Sequence, residues 1–100
     1  IVSIDQDREI EIPNSVSLHQ NYPNPFNPET MLSFSLPTTM HVRLSIYDIR
    51  GRELEELVNG QLEAGEHKHS FNGSDYATGV YMVVMETKFG TQVRRMLLLK

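Results

Sequence analysis

The sequence predicts an all-β sandwich of about seven antiparallel strands, and three observations carry this prediction. Apolar residues alternate with polar ones in short runs such as 32–36 and 42–46, which is the period of a strand with one buried face. Turn-forming residues separate the runs at intervals of roughly 8–12 residues, as is typical of sandwiches. No long window has helical periodicity, so we expect no helix longer than about two turns.

Length and composition fit one small globular domain and exclude several classes of protein. The chain has 100 residues, of which 39% are hydrophobic and 22% charged, enough for a single core. Its net charge is −4 and its one basic pair is Arg94-Arg95, so we expect no nucleic-acid binding. Cysteine is absent, which excludes disulfides and thiolate sites. No apolar run approaches the roughly 18 residues of a membrane span, so no membrane insertion is expected.

Residues 1–15 are expected to form a linker or an edge strand. The start of the sequence does not have the pattern of a signal peptide. The chain begins at Ile1 without a Met, so we expect it to be a piece of a longer protein. Acidic residues alternate with others from Asp5 onward, which could suggest calcium. A calcium loop starting there would need Gly and Glu where Ile10 and Val16 stand, so a solvated strand face is the better interpretation.

Three prolines fall within six residues, at positions 23, 25 and 28. Each proline fixes its own φ, removes a backbone donor and pushes the preceding residue toward extended geometry. The segment 21–28 can therefore be neither helix nor central strand, and we expect a stiff, defined loop. Tyr22 and Phe26 are the side chains expected to anchor this loop in the core.

The rest of the chain divides into strands and turns. Residues 52–58 fit a helical turn as well as a strand, but Asn59-Gly60 is a strong hairpin signal, so we expect a strand that ends there. The continuously apolar run 80–85 predicts a central strand buried on both faces. The expected strands are 16–18, 32–36, 42–47, 52–58, 66–71, 80–85 and 91–99. The expected turns are 48–51 with Gly51 at positive φ, 64–65, 72–75 and 89–90. The residues expected to share one core are Phe34, Leu44, Ile46 and Val83.

The sequence offers no recognisable catalytic or cofactor site. Its glycines are isolated and no G-x-S-x-G motif is present, so neither a phosphate loop nor a nucleophile elbow is expected. His67 and His69 are two residues apart and share a strand face, where two imidazoles could begin a zinc site. No third ligand is evident, and a polar, outward-facing strand surface is the better interpretation. We therefore expect no enzyme activity, no cofactor and no bound metal.

Several blocks of the sequence follow one another in a distinctive order. A proline-rich run at 18–30 precedes a strand ending in Leu36-Pro37, and later blocks read Ile-Tyr-Asp, Gly-Arg, Ala-Gly-x-His and Gly-x-Tyr. The motif residues are Asn21, Tyr22, Pro23, Asn24, Pro25, Phe26, Asn27, Pro28, Asp48, Gly51, Gly65, His67, Gly79 and Tyr81. The final strand is basic and then aliphatic, with Arg94, Arg95, Met96, Leu97, Leu98, Leu99 and Lys100. Residues 16–100 thereby resemble the C-terminal sorting domains of the bacterial type IX secretion system.

The resemblance implies an immunoglobulin-like β-sandwich, similar in fold to the immunoglobulin-like module of flagellar hook-capping proteins. It implies an address label and not a catalyst, with a cargo domain preceding it in the parent chain and residues 1–15 as the link. The implied partners are an outer-membrane translocon and a sortase-like peptidase that usually removes the domain. The implied route runs through the periplasm to the cell surface or the extracellular space. The oligomeric state is left open.

The resemblance makes the final strand, 94–100, the expected site of translocon recognition. Alternate residues of a strand share a face, so the two sets are Val93, Arg95, Leu97 and Leu99, and Arg94, Met96, Leu98 and Lys100. Each face mixes apolar and basic residues, whereas a purely structural strand would more simply keep its charges on one face. The proline loop or an exposed sheet edge are the alternative recognition sites.

A second interpretation is an accessory module of a secreted multidomain hydrolase, which binds carbohydrate or acts as a spacer. A carbohydrate-binding module presents a flat row of exposed aromatic side chains. The chain has no Trp, so only Tyr22, Tyr47, Tyr76 and Tyr81 could form such a row. A spacer differs from a sorting signal in that its deletion leaves export intact.

Overall fold

Strands account for all the regular secondary structure of the described residues. The computed structural model describes residues 15–100, which contain seven strands and no helix, so none of them forms a helix that could cross a membrane. The strands are β1 (Ser17–Leu18), β2 (Glu29–Leu36), β3 (Met40–Asp48), β4 (Glu53–Leu62), β5 (Gly65–Asn72), β6 (Gly79–Thr87) and β7 (Gly90–Leu98). The predicted all-β fold is confirmed. Of the predicted linker or edge strand, residues 1–14 lie outside the described residues.

The strands form two antiparallel sheets around a shared core. One sheet has the order β1-β2-β5 and the other the order β4-β3-β6-β7. Hairpins join β3 to β4 and β6 to β7, and the chain passes from one sheet to the other after β2, β4 and β5. This arrangement is the immunoglobulin-like sandwich that the sequence predicts.

The core consists of alternate residues from the strands of both sheets. In β2, for example, Phe34 is 1% exposed, whereas Met31 points the other way and is 41% exposed. The four predicted core residues, Phe34, Leu44, Ile46 and Val83, all lie in the same cluster. Period-two alternation therefore identifies the buried face correctly where a strand is regular.

Strand β4 shows where alternation and turn signals mislead. Asn59 and Gly60 are strand residues paired with Arg43 and Val42, so the predicted hairpin turn there is wrong, and β4 continues to Leu62. The pairing of β4 with β3 shifts at two bulges, between Leu44 and Ser45 and again between Ile46 and Tyr47. Each bulge adds one residue to β4, which explains why its apolar residues have a spacing that also fits a helical turn.

Strand β6 is central in its sheet but is not buried equally on both faces. Tyr81, Val83 and Met85 point into the core, while Val80, Met82 and Val84 on the other face are half-buried. The prediction of burial on both faces is therefore wrong for this strand, since no layer among residues 15–100 packs on the outer face. The outer face of β6 is instead apolar and partly open to solvent.

Candidate recognition site at the end of the terminal strand

The proline-rich segment 21–28 forms a loop closed at its neck by two hydrogen bonds. The N–H of Tyr22 donates to the carbonyl of Met31 over 3.1 Å, and the N–H of Met31 donates to the carbonyl of Tyr22 over 2.9 Å. The peptide bonds that precede Pro23, Pro25 and Pro28 are cis. We call this segment the proline loop, and it is the defined loop that the sequence predicts.

Asn21 holds the inside of the proline loop together. This residue is 2% exposed, and its amide nitrogen donates to the carbonyl of Pro23 over 3.1 Å and to the hydroxyl of Thr30 over 2.9 Å. The Thr30 hydroxyl donates to the same Pro23 carbonyl over 2.8 Å, and Asn21 Oδ1 accepts from Gln20 over 2.7 Å. Because an unsatisfied buried amide costs roughly 1–3 kcal/mol, these partners explain why an asparagine is tolerated in this position.

The other side of the proline loop is hydrogen-bonded to the outer edge of β7. The N–H of Phe26 donates to the carbonyl of Leu97, and the N–H of Leu99 donates to the carbonyl of Phe26, each over 3.0 Å. The N–H of Leu97 donates to Asn24 Oδ1 over 2.9 Å, across 73 positions of sequence. The loop therefore runs beside the end of β7 as a short parallel strand, with Phe26 opposite Leu98.

Only one of the two aromatic residues expected to anchor the loop does so. Phe26 is 2% exposed and packs edge-on against Phe71, with 6.1 Å between ring centroids. Tyr22 is 80% exposed, so the expectation that it anchors the loop in the core is wrong. The reason is its pairing with Met31, because cross-strand partners share a face and Met31 lies on the outer face of its sheet. Elsewhere in the loop Pro23, Pro25 and Asn27 are exposed and Pro28 is half-buried.

Gly73 completes the junction between the loop and β7, a role that sequence reasoning missed. Its N–H donates to the carbonyl of Pro28 over 2.8 Å. A Cβ at this position would lie 3.0 Å from Leu98 Cδ2 and 3.4 Å from Phe26 Cε2. The predicted turn at 72–75 is confirmed, since Asn72 Oδ1 accepts the Ser74 N–H over 2.8 Å. A turn signal does not reveal which neighbour approaches the glycine.

The inner face of β7 is tied to β1 by polar side chains that reach across the sandwich. The side-chain amide of Gln92 accepts the N–H of Leu18 over 2.8 Å and donates to the carbonyl of Val16 over 2.9 Å. It thus bonds the backbone of β1 as a neighbouring strand would. Arg94 Nε donates to the carbonyl of Leu18 over 2.8 Å. Sequence reasoning did not identify Gln92. A polar residue in phase with the buried Met96 was the available signal.

The seven residues of the predicted recognition segment fall into three groups. Met96 and Leu98 are 1% and 0% exposed and belong to the core. Arg94 bonds to β1, and Lys100 Nζ donates to the carbonyl of Ser74 over 2.6 Å, so both cations have intramolecular partners. The three that remain on the outer face are Arg95, Leu97 and Leu99. The two basic residues of the inner set, Arg94 and Lys100, thus have structural roles. The mixture of basic and apolar residues on that face is therefore a weaker argument for recognition than the sequence suggested.

Asp48 and Gly51 build the β3–β4 hairpin. Asp48 Oδ1 accepts the N–H groups of Arg50 and Arg52, and its Oδ2 accepts from Arg52 Nε over 2.9 Å. The backbone hydrogen bond from Arg52, supported by these other contacts, lowers the pKa of the Asp48 carboxyl below its usual range. Gly51 has a φ of 86°, as predicted. These motif residues shape a turn.

Gly65, His67 and His69 lie on the three-stranded sheet. Gly65 has a φ of 124° at the start of β5. His67 stacks on Phe34 with 5.3 Å between ring centroids, and its Nε2 lies 2.7 Å from the carbonyl oxygen of Glu63. Both histidines are half-buried on the core side of β5, so the prediction of an outward face is wrong: the outward residues are Glu66, Lys68 and Ser70. Residues 15–100 contain no group of three metal-ligating side chains.

Gly79 and Tyr81 open strand β6 beside an aromatic cluster. Tyr81 is 8% exposed and its hydroxyl donates to the carbonyl of Ala77. Tyr76 stacks on Phe71 and lies tilted against Tyr81, and its hydroxyl donates to Glu55 over 2.6 Å. Burial, together with that carboxylate, raises the pKa of Tyr76 to about 12. Tyr81 therefore has a structural role in this cluster.

Charges on the outer face of the four-stranded sheet are unevenly distributed. Arg43 on β3 bonds to Glu53 over 2.6 Å, to Glu56 over 2.7 Å and to Glu86 over 3.2 Å. The hydrogen bond from Arg43 lowers the pKa of Glu53. Arg95 on β7 has no carboxylate within ion-pair distance in the part of the chain that the structure describes. The Arg43 network and Arg95 lie at different parts of the same face.

Comparison with known families yields a match that spans both the proline loop and β7. The family model described as the secretion system C-terminal sorting domain matches residues 20–99, which include both elements. The chain belongs to this family. It is therefore a type IX secretion sorting domain, and sorting domains of this family are signals, not catalysts.

A solved structure supports the fold of this sorting domain. It is the structure of PorZ, a bacterial surface component of the type IX secretion system of Porphyromonas gingivalis. The match has 24% identity and a TM-score of 0.55, and covers 85% of this chain but 11% of that one. At this identity the likeness concerns the fold alone. No curated protein matches the chain.

Proposed function

We propose that this sorting domain is a non-catalytic address label that the outer-membrane translocon of the type IX system recognises in folded form. Family membership makes it part of a secreted or cell-surface protein, with a cargo in the same parent chain. In the finer form of the proposal, the cargo lies before the linker or edge strand of residues 1–15 and crosses the periplasm before export. A sortase-like peptidase then removes the domain, and the cargo stays on the surface or is released.

The observation that carries this proposal is the union of the proline loop with the end of β7. These two blocks lie 73 positions apart and are joined by hydrogen bonds at Asn24 and Phe26. A label read as a linear tail would not need this union, whereas a label read as a folded surface depends on it. Within β7, the segment 94–100 is proposed as part of that surface, with Arg95, Leu97 and Leu99 as its outward residues.

The carbohydrate-binding alternative finds no support in the positions of the tyrosines. Tyr22 is exposed beside β2, and Tyr47 lies on the outer face of the other sheet with its hydroxyl bonded to Glu53. Tyr76 and Tyr81 belong to the partly buried aromatic cluster. The four tyrosines form no exposed row, so a flat sugar-binding platform is not present among them.

The test is export of a reporter carrying a signal peptide and this domain, in a host with the type IX system. We expect surface or extracellular reporter with the domain present, and retention without it or in a matched strain that lacks the translocon pore. Export from the pore-lacking strain would contradict a sorting role. Export unaffected by deletion of the domain would favour a spacer.

A second arm tests the union of loop and strand. Asn24→Ala removes the side-chain acceptor of Leu97 N–H, at a cost of about 0.5–1.5 kcal/mol, and leaves β7 unchanged in sequence. Asn59→Ala on β4 is the matched control, because Asn59 bonds exposed side chains alone. We expect reduced export from the first variant and normal export from the second. Equal export from both variants would mean that the translocon does not recognise the surface formed by the proline loop and β7.

A further inference from the structure

The outer face of β6 and β7 carries an apolar strip at the end near the proline loop. Three cross-strand pairs form the strip: Val80 with Leu97, Met82 with Arg95, and Val84 with Val93. Val93 is 48% exposed, and the other four aliphatic side chains are half-buried. The strip extends about 14 Å along the strands, given a rise of about 3.4 Å per residue.

This strip departs from what a solvated sheet face normally shows. An antiparallel sheet with one face in water usually places polar residues on that face. The neighbouring strands β3 and β4 do so, with Arg43 bonded to Glu53, Glu56 and Glu86. A contiguous exposed apolar patch with a polar surround is typical of a protein-docking surface.

Arg95 gives the strip a definite electrostatic preference. It stands among aliphatic residues opposite Met82, and within residues 15–100 no carboxylate compensates its charge. The chain as a whole carries a net charge of −4, so an acidic partner is repelled by most of the surface. The same partner is attracted to the strip, where Arg95 supplies a positive charge. A carboxylate surrounded by apolar groups is the complementary chemistry.

The geometry also determines how a partner can approach. Strand addition at 97–99 is blocked, because Asn24 and Phe26 already bond the backbone of Leu97 and Leu99. The carbonyl of Arg95 accepts from Gln20 Nε2 over 2.7 Å. A partner therefore meets side chains on the face of β7 and not its backbone edge.

We propose that this strip, with Val80, Met82, Val84, Val93 and Leu97 around Arg95, docks face-on against a secretion-system protein that presents an acidic group within an apolar surface. The proposal rests on the proposed function and names the surface and the partner chemistry. It assigns residues of β6 to the signal, outside the terminal segment 94–100.

The experiment compares charge reversals on two sheet faces in the reporter assay. Arg95→Glu reverses the cation of the strip, and Lys68→Glu makes the same charge change on the exposed outer face of β5. We expect Arg95→Glu to lower the exported fraction about tenfold or more, as for a like-charge contact at an interface, and Lys68→Glu to leave it unchanged. Arg95→Lys should retain export, and both Glu variants should melt within about 5 °C of the parent domain.

Val93→Glu tests the apolar part of the strip without altering Arg95. We expect lost export with a melting temperature close to that of the parent domain. If the parent domain is exported and both Arg95→Glu and Val93→Glu are exported normally, the strip is not the docking surface, although the sorting function stands. If the parent domain is not exported, both proposals fail. If the purified domain dimerises in sedimentation and Arg95→Glu abolishes the dimer, the strip binds a second copy, which also overturns the proposal.

Discussion

The two edge strands of the four-stranded sheet are protected in opposite ways. At the β7 edge, the proline loop bonds the backbone of Leu97 and Leu99, while Gln92 and Arg94 reach inward to β1. At the β4 edge no residue is fully buried, two bulges interrupt the pairing, and three of the first four residues are glutamates. Both devices keep a sheet edge from pairing with other chains.

The difference shows which edge is fixed by the rest of the domain. β7 depends on partners from the loop, from β1 and from Gly73, all distant in sequence. β4 depends on its hairpin with β3, on exposed charged side chains, and on half-buried apolar residues that pack against the core without being fully enclosed. Equivalent substitutions on the two edges should therefore have unequal effects, and matched pairs of variants can test this.

The largest difference is expected from truncating a leucine on each edge. Leu98 on β7 is 0% exposed, so Leu98→Ala should destabilise the domain by roughly 2–5 kcal/mol. Leu57 is a half-buried bulge residue of β4, and Leu57→Ala should cost only about 1 kcal/mol. Urea unfolding midpoints measure both. Equal losses would contradict the asymmetry between the edges.

A pair of glycines gives the next largest difference. Gly73→Ala places a Cβ 3.0 Å from Leu98 Cδ2 in a packed environment, and overpacking of this kind costs about 1–3 kcal/mol. Gly60→Ala on β4 meets nothing within 4 Å and should be neutral or stabilising by up to about 1 kcal/mol. Thermal unfolding distinguishes the two. A Gly73→Ala variant as stable as the parent would show that the Leu98 side chain moves aside at little cost in free energy.

A pair of glutamines tests the tie between β7 and β1. Gln92→Ala leaves the N–H of Leu18 without its partner and should cost roughly 1–3 kcal/mol. Gln61→Ala at an exposed position of β4 should shift stability by less than about 0.5 kcal/mol. Hydrogen exchange at the Leu18 amide provides a local readout. Unchanged protection of that amide in Gln92→Ala would refute the tie.

The smallest effect concerns the tie of β4 to the aromatic cluster and appears at high pH. The pKa of Tyr76 is raised to about 12, from an ordinary value of about 10. Because the hydroxyl of Tyr76 holds its proton more tightly in the folded state, the group stabilises the fold fully below the unfolded-state pKa of about 10. This contribution to stability is lost as pH rises from about 10 through 12. The parent domain should lose more stability between about pH 9 and pH 11 than Tyr76→Phe does in urea unfolding. Identical losses would show that Tyr76 does not titrate as described.

Local patterns in the sequence predict the strands and the core but not the contacts between distant segments. Alternation identifies Phe34 and Val83 correctly, because side-chain direction in a regular strand depends only on neighbouring residues. It fails in β4, where bulges reset the phase, and Asn59-Gly60 imitates a turn inside a strand.

The candidate site depends on information that no local pattern contains. The proline motif predicts a defined loop, but its bonds to Leu97 and Leu99 depend on tertiary packing. The same packing turns Tyr22 outward and His67 and His69 inward, contrary to prediction. The contacts of Gln92 with β1 and of Gly73 with the proline loop could not be predicted, because only the folded chain brings these segments close together.

The bonds of Asn24 and Phe26 to the end of β7 also impose an order on biosynthesis. The loop emerges from the ribosome early in the domain, but its partners Leu97 and Leu99 are among the last residues of the domain to be made. Closing so long a stretch of chain is slow compared with forming local hairpins. A chain truncated before Leu97 lacks the β7 partners of Asn24 and Phe26, so these bonds can form only after the domain has been translated through β7.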